Sequence, residues 1–465
     1  MFSEFWTYLS DWSAFDTWIA VTAALSAMAC ALPGCFLVLR RQSLLGDVLS
    51  HTVLLGIVLG FLASHALLTR GWIAPSSYPA IQKTAIFAGA ILIGIVTAVL
   101  TESVRRIGRT ESSASLGVVY TTLFAAGLLL IRLAADHIHI DADCVLFGLE
   151  ETAVLDTVGT TGIPRSALVN GGMLLVNGLL VVLFFKELRL SSFDPQLADA
   201  LGLRPGVINM VLLIATSATL VAAFESVGNI LVIAMLIVPA ATAFLLTDRL
   251  PFLLMWSLIL GALCAIIGHV AALTLPPIVF SRLGWPEVDG ARTAGMMATI
   301  SGLFFFGALL FSPRKGILSK LFHQLQLQLR FVAEDVLGTI YRAEEAGKPQ
   351  LRQELVTDAA SRWNQSFLTA WALVRLKQLG LVMQQQREVR LTPKGKSLAE
   401  AIVRSHRLWE SYMARHLQLP DVHLHATAEW VEHFLDPALR EALESELDRP
   451  QSDPQGKQIP AEPVE

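Results

Sequence analysis

Up to about residue 312 the chain is a succession of apolar runs; beyond it, apolar and polar positions interleave as in an ordinary soluble protein. A hydrocarbon core takes about 20 apolar residues per helix. Runs of that kind lie at roughly 17–39, 45–65, 84–102, 113–133, 167–186, 206–225, 227–247, 251–275 and 291–312. Inside 206–247 only Glu225 and Gly228 mark a turn, so the pattern predicts eight or nine membrane-spanning helices. Composition agrees: 54% of residues are hydrophobic and 16% charged, where a soluble domain carries about 25% charge.

The connecting charges orient the bundle. Arg40 and Arg41 follow the first span, Arg105, Arg106 and Arg109 the third, Lys186 and Arg189 the fifth, Arg249 the seventh, and Arg314 and Lys315 the last. With nine spans these all fall on one side, predicting a cytoplasmic C-terminal region and an external N-terminus. The net charge of −4 changes nothing in this picture. Cys30, Cys35, Cys144 and Cys264 are scattered and form no metal or disulfide motif. The first residues, MFSEFWTYLSDW, lack the basic start of a cleavable signal peptide.

The second span contains two groups that lipid disfavours. Asp47 and His51 are four residues apart, hence on one helix face. Each ionisable side chain at mid-membrane costs roughly 3 kcal/mol or more, and such groups usually mark an ion or substrate path. A carboxylate and an imidazole one turn apart also chelate a divalent metal. The competing role is a hydrogen-bonded pair that ties helices together. His269 is read as a packing histidine. His137, His139, Asp141 and Asp143 alternate in an external loop; a solvated loop is favoured there over a metal funnel.

After the fifth span comes SSFDPQLADALGLRPG. Asp194 and Pro195 open a short helix with an aspartate N-cap, and Gly202 closes it. The helix suits docking onto a partner or lying on the bilayer, and its residues do not choose.

Four stretches, LLGDVLSHTVLLGIVLGF, FDPQLADALGL, AFESVGNILVIAMLIVPAATAFLLT and GLFFFGALLFSPRKG, resemble in order and spacing the ABC permeases that import manganese, zinc or iron. The likeness runs from about residue 17 to 318, and IDADCVLFG (140–148) resembles an external stretch of that family. It implies that Asp47 and His51 line the metal path; Glu225, in or near a span, is read separately as lying near the outer surface and attracting cations. The resemblance also implies that Phe193, Asp194, Pro195, Leu197, Ala198, Leu201 and Gly202 dock an ATPase. The chain has no GxxxxGK[ST] sequence, so nucleotide binding and hydrolysis are assigned to a separate subunit. An external metal-binding protein and a second permease subunit, identical or paralogous, complete the expected assembly.

From Phe331 the pattern becomes soluble and helical. A helix ending at Gly380, two short strands around a charged turn, and a helix entered through Thr392 and Pro393 follow in the order of a winged helix-turn-helix. Residues 331–460, including the closing DPQGKQIP, resemble the iron- and manganese-dependent repressors of the diphtheria-toxin-repressor and manganese-regulator family. His406 and Glu410 are four apart on one helix; His425, Glu429, Glu432 and His433 share one side of the next. Six nitrogen and oxygen donors without a thiol suit a manganese-like or zinc-like ion; the alternative is a charged face of ordinary ion pairs. The resemblance adds Asp335 as a helix-one ligand. It places Glu429 where iron-type members have cysteine and Gly338 where manganese-type members have a further ligand, so manganese is favoured, with zinc and iron as alternatives. The would-be recognition helix carries Trp363, Phe367, Leu368 and Trp371, and residues 313–465 have about 20 basic and 20 acidic residues, which disfavours DNA binding.

The expected architecture is therefore an all-α polytopic permease domain (1–318), a winged-helix domain (319–398), a helical metal-binding and dimerisation domain (399–460) and a disordered tail (461–465). The expected function is the membrane subunit of a divalent-metal importer with a metal-sensing cytoplasmic region. The rival is a membrane-anchored metal-dependent transcriptional regulator.

Overall fold

The computed structural model describes residues 12–461 except 110, 135–152, 159–161, 285–289, 348–349, 352–365, 386–387 and 418–420. The chain divides after Ser319 into two compact units.

Among the described residues of the first unit, eight helices are long and apolar enough to cross a membrane, and a ninth is shorter. They are α1 (Ala14–Leu39), α2 (Leu44–Thr69), α3 (Tyr78–Gly108), α4 (Ser112–Ala134), α5 (Arg165–Leu183), α8 (Pro205–Val227), α9 (Asn229–Leu246), α10 (Leu250–Arg282) and α11 (Thr293–Phe311). Between α5 and α8 lie α6 (Phe185–Phe193) and the single-turn α7 (Pro195–Ala200). Helices dominate because a backbone in lipid must satisfy its own hydrogen bonds. A capping box starts α1: the Asp16 N–H donates to Ser13 Oγ (3.3 Å) and the Ser13 N–H to Asp16 Oδ2 (2.9 Å). Burial along α1 is nearly continuous from Ala27 to Leu37, which makes it the central element of the bundle.

Buried polar groups bind the spans. Asn177 Nδ2 on α5 donates to the Ala29 carbonyl on α1 (3.0 Å) and to Thr219 Oγ1 on α8 (2.8 Å). Lipid-embedded helices also pack through small residues. A Cβ on Gly56 or Gly60 of α2 would meet the α3 backbone at 2.4 Å (Gly89 O) and 2.3 Å (Ala85 O). That contact fixes α2, the helix carrying Asp47 and His51, against its neighbour. His269 behaves as a packing histidine: it is 1% exposed and its Nδ1 lies 2.9 Å from Thr293 Oγ1.

The second unit holds most of α12 (Ile317–Glu345), then β1 (Gln350–Leu351), α13 (Ser366–Gln378), β2 (Val382–Gln385), β3 (Glu388–Leu391), α14 (Pro393–Leu417), α15 (Asp421–Val431) and α16 (Pro437–Glu446). The strands form an antiparallel sheet in the order β1-β3-β2. The sequence pattern predicts the β2–β3 wing and misses the two-residue β1. The core joins Val336, Leu337, Ile340, Leu373, Leu376, Leu381, Val389 and Ile402. Thr392 caps α14 by accepting from the Gly395 N–H (3.1 Å). The closing stretch is held to α14 by Arg407, which donates to the Gln458 carbonyl and lies 3.6 Å from Asp453.

A Cβ at Gly395 would lie 1.9 Å from the Leu381 carbonyl oxygen, a backbone atom that cannot swing away. Gly395→Ala is expected to destabilise this unit by about 3 kcal/mol. Limited proteolysis checks it: cleavage within 320–461 rises sharply while the apolar unit stays resistant.

Candidate metal sites

In the first unit Asp47 stands in the first turn of α2 and His51 one turn on, with His51 Nε2 3.4 Å from Asp47 Oδ1. The His51 ring lies 5.5 Å from Tyr120 and 5.6 Å from Phe124, both on α4. These aromatic neighbours restrict the imidazole and were not legible in the sequence. The Asp47 side chain is 48% exposed and that of His51 22%, so the pair forms an open, two-donor half-site. Glu225 belongs to the last turn of α8, and its side chain is outside the described residues, as are His137, His139, Asp141 and Asp143.

The α7 helix forms as its caps require. Asp194 Oδ1 accepts from the Leu197 N–H at 2.9 Å, Pro195 is the first helical residue, and Gly202 follows with φ +81°. Ala198 is fully buried, whereas Phe193, Leu197 and Leu201 are 59%, 47% and 65% exposed. An apolar face is left uncovered on a helix whose ends are fixed.

In the second unit the predicted ligands separate into two triads. Glu410 Oε1 is 3.1 Å from His406 Nε2 and 2.9 Å from His425 Nδ1, and the two imidazole nitrogens are 2.9 Å apart. Asp335, Glu432 and His433 form the second group, their donor atoms within 4.8 Å of one another. The His406 ring spans both, since its Nδ1 donates to Glu432 Oε2 at 2.5 Å. Glu429 joins neither triad and lies beside the first, 3.5 Å from His425 Nε2.

Three residues around the second triad escape the sequence pattern. The His433 Nδ1–H donates to Glu334 Oε2 (2.7 Å), and Glu334 pairs with Arg330 (2.8 Å). Arg342 Nη2 stands 3.5 Å from Glu432 Oε2. Their one visible signal is the adjacent acids Glu334 and Asp335.

Electrostatics follows from this crowding. Burial opposes charging His406, but hydrogen bonds to Glu410 and Glu432 outweigh it and raise its pKa. Burial likewise opposes ionising Glu410, yet bonds to His406 and His425 bring it down to about 2. His433 is disfavoured as a cation by burial, but Asp335 and Glu334 lift it to about 9. His433 Nε2 is buried without a hydrogen-bond partner among the described residues, 3.3 Å from Asp335 Oδ1. An imidazole nitrogen buried 3.3 Å from Asp335 Oδ1 and clustered with Glu432, with its other nitrogen bonded to Glu334, offers a donor set that fits a divalent cation.

A sign follows for pH. The folded pKa of His433, about 9, exceeds the unfolded value of about 6.5. Its stabilising charge is therefore fully present below about 6.5 and lost as pH rises through about 9. In chelator-treated protein, amide protection of α14 and α15, corrected for intrinsic exchange, is expected to be lower at pH 9.5 than at pH 7. Added Mn²⁺ should remove the difference.

A polytopic helical bundle with an Asp–His pair in one span and an appended winged-helix unit with two donor triads defines a class: a membrane permease joined to a repressor-like domain. The chain belongs to the ABC 3 transport family, whose model matches residues 14–278. Residues 392–461 match the iron dependent repressor metal-binding and dimerisation domain. The chain is 36% identical over 318 residues to the manganese transport system membrane protein MntD of Bacillus subtilis, covering 68% of this chain and 98% of that protein. It is 36% identical over 387 residues to the zinc transport system membrane protein TroD of Treponema pallidum, covering 82% of this chain and 97% of that one. Among solved structures, PsaBC from Streptococcus pneumoniae in complex with Fab matches with a TM-score of 0.51 and 26% identity, over 68% of this chain and 98% of that one. The chain is thus a permease subunit of an ABC system and not itself an ATPase.

Proposed function

We propose that the chain is the membrane-spanning subunit of an importer that moves a divalent transition metal, Mn²⁺ in preference to Zn²⁺ or Fe²⁺, into the cytoplasm. The observation that carries this is the Asp47–His51 pair at 3.4 Å in a predominantly apolar span. A carboxylate offsets part of the ion's charge, and a neutral imidazole selects transition metals over alkali cations. One chain supplies two donors, and such an ion takes four or more. The half-exposed pair is therefore completed by a second permease subunit bringing its own donors to the path. Glu225 is assigned to the outer approach, and an external metal-binding protein delivers the ion.

Phe193, Asp194, Pro195, Leu197, Ala198, Leu201 and Gly202 form the ATPase docking element, supported by the uncovered apolar face of α7. On this reading the N-terminus is outside and the second unit cytoplasmic.

The second unit is assigned to sensing. Asp335, Glu432 and His433 hold one ion and His406, Glu410 and His425 another; carboxylate and imidazole donors without thiol favour Mn²⁺. A filled site needs its imidazole nitrogen deprotonated. Because His406 contacts both triads, occupation of one alters the other, and the filled domain slows transport. DNA binding is disfavoured because α13 presents Phe367 (73% exposed), Trp371 (54%) and Val374 (49%) where a groove-reading helix presents polar groups.

The test is uptake of radioactive Mn²⁺ into proteoliposomes holding the chain, its ATPase and its binding protein, with Zn²⁺ and Fe²⁺ as competitors. ATP-driven Mn²⁺ accumulation, slowed by Mn²⁺ on the C-terminal side and not in His406→Ala/His433→Ala, is expected. ATP hydrolysis without accumulation of any metal would overturn the reading.

A further inference from the structure

The docking element has little grip of its own. Within α7 only Ala198 is buried, and a helix of six residues cannot act as a lever unless its flanks are held. The flanks converge on one side chain. Arg40 follows the last residue of α1, and its Nε donates to Ser192 Oγ (3.0 Å), its Nη2 to Ser191 Oγ (2.8 Å) and its Nη1 to Asn209 Oδ1 (2.7 Å). Ser191 and Ser192 lie in the last turn of α6, shortly before α7; Asn209 lies in the second turn of α8, the next helix after it. One rigid guanidinium thus clamps both ends of the docking element to a third helix.

The place where that helix ends matters. After Arg40 the chain turns sharply, with Arg41 in the left-handed region at φ +56° and the Gln42 N–H donating to the Leu37 carbonyl (2.8 Å). It enters α2 at Leu44, so Asp47 follows Arg40 by seven residues. The α1–α2 corner is therefore bonded on one side to the docking element and continuous on the other with the path helix. A cavity of about 540 Å³ with a mixed lining, including Arg40, Gln42, Glu102, Asn209, Leu45 and Leu213, lies beside the clamp and leaves room for it to move. All three Arg40 partners are neutral oxygens, and a planar fork with fixed donor directions transmits orientation as well as distance.

We propose that Arg40 is the positioning residue that couples the docking element to the metal path: displacement of α7 by the ATPase is passed through Ser191, Ser192 and Asn209 to the α1–α2 corner and so to Asp47 and His51. This rests on the docking role proposed for α7. A residue that served folding alone would change transport and hydrolysis together; a coupling residue changes their ratio.

The experiment measures metal transported per ATP hydrolysed, in proteoliposomes with the ATPase and binding protein, for Arg40→Met, Arg40→Lys and Ser191→Ala/Ser192→Ala. Capture of the ATPase in detergent is scored on the same preparations. The expected result is unchanged capture and near wild-type hydrolysis in all three variants. Transport per ATP should fall at least tenfold in Arg40→Met, with smaller falls where one donor or part of the acceptor set remains. If Arg40→Met does not fold, the lysine and double-serine variants carry the test. An unchanged ratio in the folded variants, or transport and hydrolysis declining in proportion, overturns the coupling role. Failure of the docking reading looks different: Leu197→Asp/Leu201→Asp would still capture the ATPase.

Discussion

Leu197→Asp/Leu201→Asp is expected to abolish capture of the ATPase while leaving the permease folded. Both side chains are about half exposed or more, so the substitution removes little buried contact within the chain. In a complex they become buried, and a carboxylate buried without a partner costs about 2 kcal/mol or more. Two such groups give about 4 kcal/mol, or roughly a thousandfold loss of affinity. The α7 helix itself survives because the Asp194 N-cap and the left-handed Gly202 are untouched, and Leu201 closes the helix through its backbone N–H and not its side chain. Pull-down of the ATPase by detergent-solubilised chain measures the effect, and size-exclusion profiles of the chain alone establish that folding is retained. Wild-type capture by the double variant would mean that α7 lies on the bilayer and that docking occurs elsewhere.

The second large effect belongs to the path. Asp47→Ala/His51→Ala is expected to reduce metal uptake at least a hundredfold, and each single substitution at least tenfold. The two side chains stand one turn apart near the start of their span and lie 3.4 Å apart. Without them a hydrated divalent ion meets alanine in a region of low dielectric, where nothing replaces the water it must shed. Uptake of radioactive Mn²⁺ into proteoliposomes quantifies the loss. ATPase capture should be unaffected, which separates this defect from the docking defect. A purely structural pair would behave otherwise: the variant would aggregate or lose capture, and a conservative Asp47→Asn would restore uptake.

Much of this was legible in the chain because its physics is local. Apolar runs of about 20 residues report spans directly, since hydrocarbon thickness sets their length. The α7 helix announces itself through Asp194, Pro195 and Gly202, whose roles depend on their immediate neighbours. Where geometry depends on distant elements, the pattern was silent. Arg40 is read from the sequence as one more positive charge near the membrane, and its partners lie 151 to 169 residues away. The helical spacing predicts His406 and Glu410 on one face of α14 and His425, Glu429, Glu432 and His433 on one side of the next helix, whereas α15 ends at Val431, before Glu432 and His433. The spacing does not predict their division into two triads, which depends on how α14, α15 and α12 pack. Nor does it show Glu334, whose role follows from its bond to His433, 99 positions away. The β1 strand is two residues long and exists only through its pairing with β3, so no alternation marks it.

Metal import through Asp47 and His51 is decided by the manganese, zinc and iron content of cells. Elemental mass spectrometry would compare cells co-expressing the chain and its ATPase with cells expressing the Asp47→Ala/His51→Ala variant at equal membrane abundance. The account predicts a rise in manganese with wild type that disappears in the variant. No change in any of the three metals, with the protein correctly inserted, would contradict it and make the His406 and His433 triads of a membrane-anchored regulator the primary function.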